Sequence, residues 1–153
     1  MIAAPPSAPV MSETFKKNLP SKIYRACERL SLSEQIAEKL RALESRVPGV
    51  EAGLVATPDG LPIASALPPG TDEERVAAMC AAAYSTAERI CRELGKGEIQ
   101  TSFVRGEGGY VLVTSAGPNA VLMIMTSPEA KLGLLFLEMR RLANEIKDLV
   151  SQL

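Results

Sequence analysis

Two apolar runs, "YVLVTS" (residues 110–115) and "AVLMIMT" (120–126), stand only four residues apart, joined by "AGPN". A strand with one face in water alternates apolar and polar residues, whereas one that is apolar at nearly every position must be covered on both faces. A connection of four residues containing Gly and Pro fits a hairpin. This chain must therefore place two neighbouring strands at the middle of a sheet with helices packed on either side. The remaining elements have to supply those helices and the flanking strands.

The preceding segments supply them. "AGLVATPDGLPIASA" reads as a hairpin, with a strand over residues 52–57, a turn at Pro58-Asp59-Gly60 and a strand over 61–66. "EIQTSFVR" alternates and is expected to be a half-exposed third strand over 99–105. Before the first hairpin, Ser31 and Glu34 have the spacing of a capping box, in which each side chain satisfies a free N–H of the first turn. Ile36, Leu40, Leu43 and Val47 then form one apolar stripe, closed by Pro48-Gly49. Between the hairpins, Thr71 and Glu74 repeat the capping pattern at the start of an alanine-rich helix ending near Leu94. Ser127-Pro128-Glu129 supplies an N-cap, a first-turn proline and an acid suited to the helix dipole. The stripe Leu132, Leu135, Met139, Leu142, Ile146, Leu149, Leu153 continues that final helix.

The predicted order is α-β-β-α-β-β-β-α: an α/β sandwich with a five-stranded, mostly antiparallel sheet. The first and last helices share one face, and the alanine-rich helix covers the other. At 153 residues the chain has room for one domain with a core. Residues 31–153 form that domain. Residues 1–30 form an arm, disordered over the Pro/Ala/Ser-rich start and partly helical after Pro20. The arm is basic, with Lys16, Lys17, Lys22, Arg25 and Arg29 against Glu13 and Glu28. It suits a solvated tail, or weak contact with an acidic partner or an anionic lipid surface. Met11 is an alternative start.

Composition narrows the chemistry. The chain has no histidine, which removes the Ser-His-Asp and Cys-His nucleophile systems and the commonest metal ligand. Cys27, Cys80 and Cys91 form no CxxC pair, and "GKGE" and "GEGGY" are neither a Walker A loop nor a dinucleotide fingerprint. No cofactor, no metal and no catalytic residue are expected, so the chain reads as a non-enzyme. A net charge of -1 offers no general attraction for nucleic acid. No apolar run reaches the roughly 20 residues of a membrane span. The N-terminus has no basic leader region, and the expected location is the cytoplasm.

Three stretches resemble the Roadblock/dynein light chain family, and within it the MglB-like bacterial and archaeal members. They are "GVEAGLVATPDGLPIAS" at 49–65, the small-residue central helix, and "SPEAKLGLLFLEMRRLANEI" at 127–146. The resemblance implies a Roadblock/profilin-like fold and a homodimer in which third strands pair edge to edge and central helices lie together. It further implies a non-enzymatic regulator or scaffold for a Ras-like small GTPase, able to act as a GTPase-activating protein. The alternative is a structural light-chain or adaptor subunit without effect on nucleotide turnover. Small-ligand sensing is a weaker third reading, given few polar core groups and six aromatic residues.

The central helix, "VAAMCAAAYSTAER" in its middle, gives the resemblance its site. Val76, Cys80, Ala83, Ala87, Cys91 and Leu94 fall on one face at about 100° per residue, which is expected to meet the sheet. Met79, Ala82 and Thr86 would then meet the twin helix, joined in the dimer interface by Ile99, Thr101 and Phe103 of the third strand. Ala78, Ala81 and Ser85, rimmed by Arg75, Arg89 and Arg92, would face the GTPase. Small side chains allow close approach there, although alanine is also simply the best helix former. Arg105 is the only arginine placed like an inserted finger. It reads equally as a solvated strand end.

Overall fold

A computed structural model of the chain describes residues 12–151. The segment 1–11, including the alternative start at Met11, and Leu153 at the end of the last stripe lie outside the described residues. The chain divides into two compact units, Met1–Ser31 and Leu32–Leu153. In the first, α1 (Glu13–Lys17) is followed by the opening turns of α2 (Ser21–Arg46).

The second unit contains β1 (Val50–Ala56), β2 (Pro62–Ala66), α3 (Glu73–Glu93), β3 (Ser102–Gly106), β4 (Gly109–Ser115), β5 (Val121–Thr126) and α4 (Leu132–Val150). The sheet order is β2-β1-β5-β4-β3, and every pair is antiparallel. The two continuously apolar runs are β4 and β5. β5 sits at the centre, paired with β1 on one side and β4 on the other. The predicted sandwich is thus present, and α1 precedes it in the chain.

The two faces of the sheet differ in the size of what they bury. On one, Ile36, Leu40 and Leu43 of α2 and Leu135, Met139, Leu142 and Ile146 of α4 pack with Val55, Leu112, Leu122 and Ile124. Each fully buried aliphatic side chain contributes about 1.5–3 kcal/mol. Lys39 Nζ donates to Glu145 Oε2 at 2.7 Å, joining α2 and α4 at the rim of this layer. On the other face α3 buries only small side chains fully: Ala77 and Cys80 pack with Leu54, Ala56, Val113, Val121 and Met123, Val76 and Tyr84 pack half-buried against them, and Ala81 is also buried. With methyl- and thiol-sized groups between its backbone and the strands, α3 lies close to the sheet.

Three expected helix starts are corrected. α2 begins at Ser21, so Ser31 and Glu34 are interior residues and not a capping box. No Gly or Pro interrupts residues 21–46, and one serine costs a helix only a few tenths of a kcal/mol. The cap of α3 is Asp72, whose carboxylate accepts from the Arg75 N–H at 3.1 Å. Thr71 Oγ1 instead donates to the Pro68 carbonyl at 2.8 Å, closing the preceding turn. Ser127 does not open α4: its N–H donates to the Gly49 carbonyl at 2.7 Å, which keeps it aligned with the end of β5. Pro128 and Glu129 form a turn, and Lys131 precedes the first helical residue without a side-chain cap.

Candidate protein-interaction surface

The surface begins at one of the two edges of the sheet, the other being β2. β3 pairs with β4 on one side, in the register Ser102↔Val113 to Gly106↔Gly109, and is the last strand of the sheet. Its ladder runs from 102 to 106, so Ile99 and Thr101 precede it and are half-buried, while Phe103 lies in it and is exposed. The expected strand over 99–105 is shifted accordingly. Thr114 Oγ1 donates to the Gln100 carbonyl at 2.7 Å and anchors the entry into β3.

Alternation along β3 sends its side chains to both faces. Phe103 and Arg105 stand opposite Leu112 and Tyr110, on the face covered by α2 and α4. Phe103 stacks on Tyr110 at 5.3 Å between ring centres and meets Phe136 of α4 at 6.5 Å. Val104 stands opposite Val111 on the α3 face and is exposed. Unpaired N–H and C=O groups with exposed apolar side chains on both faces make this edge a template for another strand.

On α3 the exposed apolar residues form a stripe. Met79 (55% exposed) and Ile90 (53%) are joined by Leu94, with Ala82, Ala83 and Thr86 exposed between them. Their spacing of three and four places them along one side of the helix. An open hollow of about 460 Å³ beside its C-terminal half is lined by Thr86, Arg89, Ile90, Glu93 and Leu94. Along the next flank lie Arg75, Ala78, Ser85, Arg89 and Arg92, all exposed. Arg92 pairs with Glu88 at 3.0 Å and reaches Glu98 at 3.7 Å.

One expected partner residue is not available. Ala81 is 5% exposed and so buried, whereas Ala83 and Leu94, expected to face the sheet, are exposed. Tyr84, absent from the expected sheet-facing set, packs half-buried against that core layer. The true face centres on Ala77, Cys80, Ala81 and Tyr84, turned from the expected one by somewhat less than one step of about 100°. The signal for it was the i, i+3, i+7 series Ala77, Cys80, Tyr84. Burial raises the Cys80 thiol pKa and is also the main cause of the raised Tyr84 pKa, with Ser115 pulling Tyr84 the other way.

Nothing in this surface suggests acid–base chemistry. Arg105 is held in β3 with its guanidinium 5.9 Å above the Tyr110 ring, at the outer limit of a cation–π contact. A smaller hollow of about 340 Å³ at the β3–β4 turn is lined by Arg105, Gly106, Glu107, Tyr110 and Pro128. Among the described residues no three His, Cys, Asp or Glu side chains are grouped to hold a metal, and no helix is long and apolar enough to cross a membrane.

Known proteins share this architecture. An uncharacterised protein of Methanocaldococcus jannaschii is 38% identical over 103 residues, 67% of this chain and 90% of that one. The structure of the gliding protein MglB from Thermus thermophilus superposes with a TM-score of 0.71 at 19% identity, covering 80% of this chain and 93% of that chain. A structure of MglB in a tetrameric arrangement gives 0.72 at 20% identity, covering 79% and 91%. At such identities these structures show the fold. The Roadblock/LC7 domain family matches residues 36–126, from the buried stripe of α2 to the last residue of β5. The chain belongs to the Roadblock/LC7 family.

Proposed function

We propose that this protein is a homodimeric, non-enzymatic regulator or scaffold that binds a Ras-like small GTPase. The observation that carries the reading is an open β3 edge together with an exposed apolar stripe on α3, a helix that packs across β3 and the other strands. Two β3 strands pairing antiparallel about an axis perpendicular to the sheet continue it without a break and keep both α3 helices on one face. Met79, Ala82, Thr86 and Ile90 then approach their twins across the axis, and Phe103 and Val104 are covered at the seam. The flank bearing Arg75, Ala78, Ser85, Arg89 and Arg92 adjoins that stripe and is exposed. Exposed small side chains between charged ones suit a protein partner, with close contact at the centre and orienting charge at the rim. The occurrence of MglB in a tetrameric arrangement supports self-association in this fold. Three free cysteines fit a reducing compartment and hence the cytoplasm.

The test is binding and hydrolysis together. The purified chain is titrated into a Ras-like GTPase from the same genome, loaded with GDP or a non-hydrolysable GTP analogue, and GTP turnover is measured with and without it. Nucleotide-dependent binding supports the regulator; binding to neither form removes it. Binding with unchanged turnover favours the light-chain or adaptor reading. One observation already leans that way: Arg105 lies in a strand against Tyr110, not on a loop free to enter another protein's nucleotide site. Acceleration by this chain would thus come from ordering the GTPase's own segments.

A further inference from the structure

The N-terminal unit carries a surface that the dimer and the GTPase reading leave unused. Within residues 12–31, Phe15, Ile23 and Leu30 are exposed, Ile23 by 50% and Leu30 by 66%, and Cys27 between them is half-buried. In α2, Ile23, Cys27 and Leu30 fall within about 60° of the helix circumference, and Lys22, Arg25 and Arg29 group together about 130° round the helix from them. The opposite flank holds Tyr24 and Glu28, whose hydrogen bond raises the tyrosine pKa and occupies the one carboxylate on these turns.

Charge separates this unit from the rest of the chain. Residues 12–31 hold five Lys and Arg against two Glu, whereas the remaining residues hold twelve basic against sixteen acidic ones. A narrow apolar stripe with Lys and Arg on the polar face is the pattern of a helix lying in a membrane interface, with apolar side chains sunk below the headgroups and the long basic side chains reaching back to anionic ones. A second copy of the arm is a poor occupant, since it would set Lys22, Arg25 and Arg29 against the same charges. A fluid surface, unlike a protein pocket, also needs no shape match to a stripe of only three short side chains.

We propose that residues 12–31 form a reversible anchor to anionic lipid, with Ile23, Cys27 and Leu30 entering the interface and Lys22, Arg25 and Arg29 contacting headgroup phosphates and carboxylates. This goes beyond the GTPase reading and stands without it. The attachment is weak, because a short stripe and three basic side chains supply modest apolar burial and about a fivefold gain in partitioning per charge.

The full chain is sedimented with vesicles of phosphatidylcholine alone or with 30% phosphatidylserine, at about 0.1 M and about 0.5 M salt, where surface attraction is screened. The expected result is binding to the anionic vesicles only, weakened at high salt. Lys22→Glu, Arg25→Glu and Arg29→Glu should each lower partitioning by about fivefold or more. Leu30→Glu should abolish it, with far-UV circular dichroism unchanged. Arg25→Lys should retain binding, since the headgroups read charge and not shape. Failure to bind anionic vesicles overturns the proposal, as does equal binding to neutral ones. Binding to a poly-glutamate peptide in preference to the vesicles reassigns the arm to an acidic protein and also overturns it. GTPase binding by the Leu30→Glu variant reads the earlier proposal separately.

Discussion

Gly60 rests against the backbone of Ala78: a Cβ on Gly60 would stand 3.0 Å from the Ala78 Cα. The contact holds the β1–β2 turn against α3. It exists because Asp59-Gly60 closes the hairpin with a positive φ of +95°, which glycine adopts without strain. The Gly60 N–H donates to the Thr57 carbonyl at 2.9 Å, and the Thr57 N–H donates to the Leu61 carbonyl at 2.8 Å. The residue that turns the chain is also the one that lets the helix come close.

Gly60→Ala should therefore destabilise the domain by about 1–3 kcal/mol, from backbone strain together with the clash at Ala78. Gly70 is the matched control, with φ +84° and nothing within 4 Å of where its Cβ would stand. Gly70→Ala should cost only the strain. Thermal unfolding of both variants measures the difference; equal losses would mean that the Ala78 contact contributes nothing.

Ala81 and Ala82 are neighbours in sequence with opposite environments, one buried and one exposed. Ala81→Arg should prevent folding or lower the unfolding midpoint by more than 10 °C, because a charged group is forced into a buried position. Ala82→Arg should leave the fold intact, since arginine is a good helix former, and weaken dimerisation at least tenfold. Circular dichroism and sedimentation velocity separate the two effects. A folded, dimeric Ala82→Arg variant would take this side of α3 out of the interface.

At the edge of the sheet, Val104→Glu should convert dimer to monomer at micromolar concentration. Two like charges would be brought together and desolvated at the seam, while the residue is exposed in the single chain. Sedimentation equilibrium reads the outcome, with unchanged thermal unfolding of the monomer as the control. A dimer of undiminished affinity would place the seam elsewhere.

The cysteines make a chemical probe of α3. Cys80 is buried and its thiol pKa is raised by desolvation, while Cys27 and Cys91 are half-buried. A thiol reagent at pH 8 should modify Cys27 and Cys91 in the native protein at least tenfold faster than Cys80, because the thiolate is the reacting form. Peptide mapping by mass spectrometry reads this directly. The sign for stability follows from the same shift: a thiol held protonated in the folded state contributes stability fully present below its unfolded pKa and lost as pH rises through the folded one. The raised Tyr84 pKa acts in the same direction. The unfolding midpoint should fall on the alkaline side, and Cys80→Ser should flatten part of that fall.

Local patterning determined much of this protein. The uninterrupted apolar runs of β4 and β5 required cover on both faces, and that alone demanded a sandwich. The Asp59-Gly60 turn set the first hairpin, and the large aliphatic stripes of α2 and α4 identified their buried sides, because burying a Leu or Ile outweighs any local preference. Helix starts were less legible. A Ser-x-x-Glu pair caps a helix only if the chain before it is not already helical, and a Ser-Pro-Glu triplet opens one only if the serine is not held by a strand. Ser31 and Ser127 fail those conditions through α2's upstream turns and the Gly49 carbonyl. The phase of α3 was decided by tertiary structure for a related reason. When both sides of a helix carry alanine, no side gains enough from burial to declare itself in the sequence. The sheet selects Ala77, Cys80 and Tyr84 because small groups let α3 settle onto Leu54, Val113 and Met123 while Tyr84 packs half-buried against the same layer. Met79 and Ile90 are left exposed by that choice, and so the interaction surface exists only once the helix has been docked.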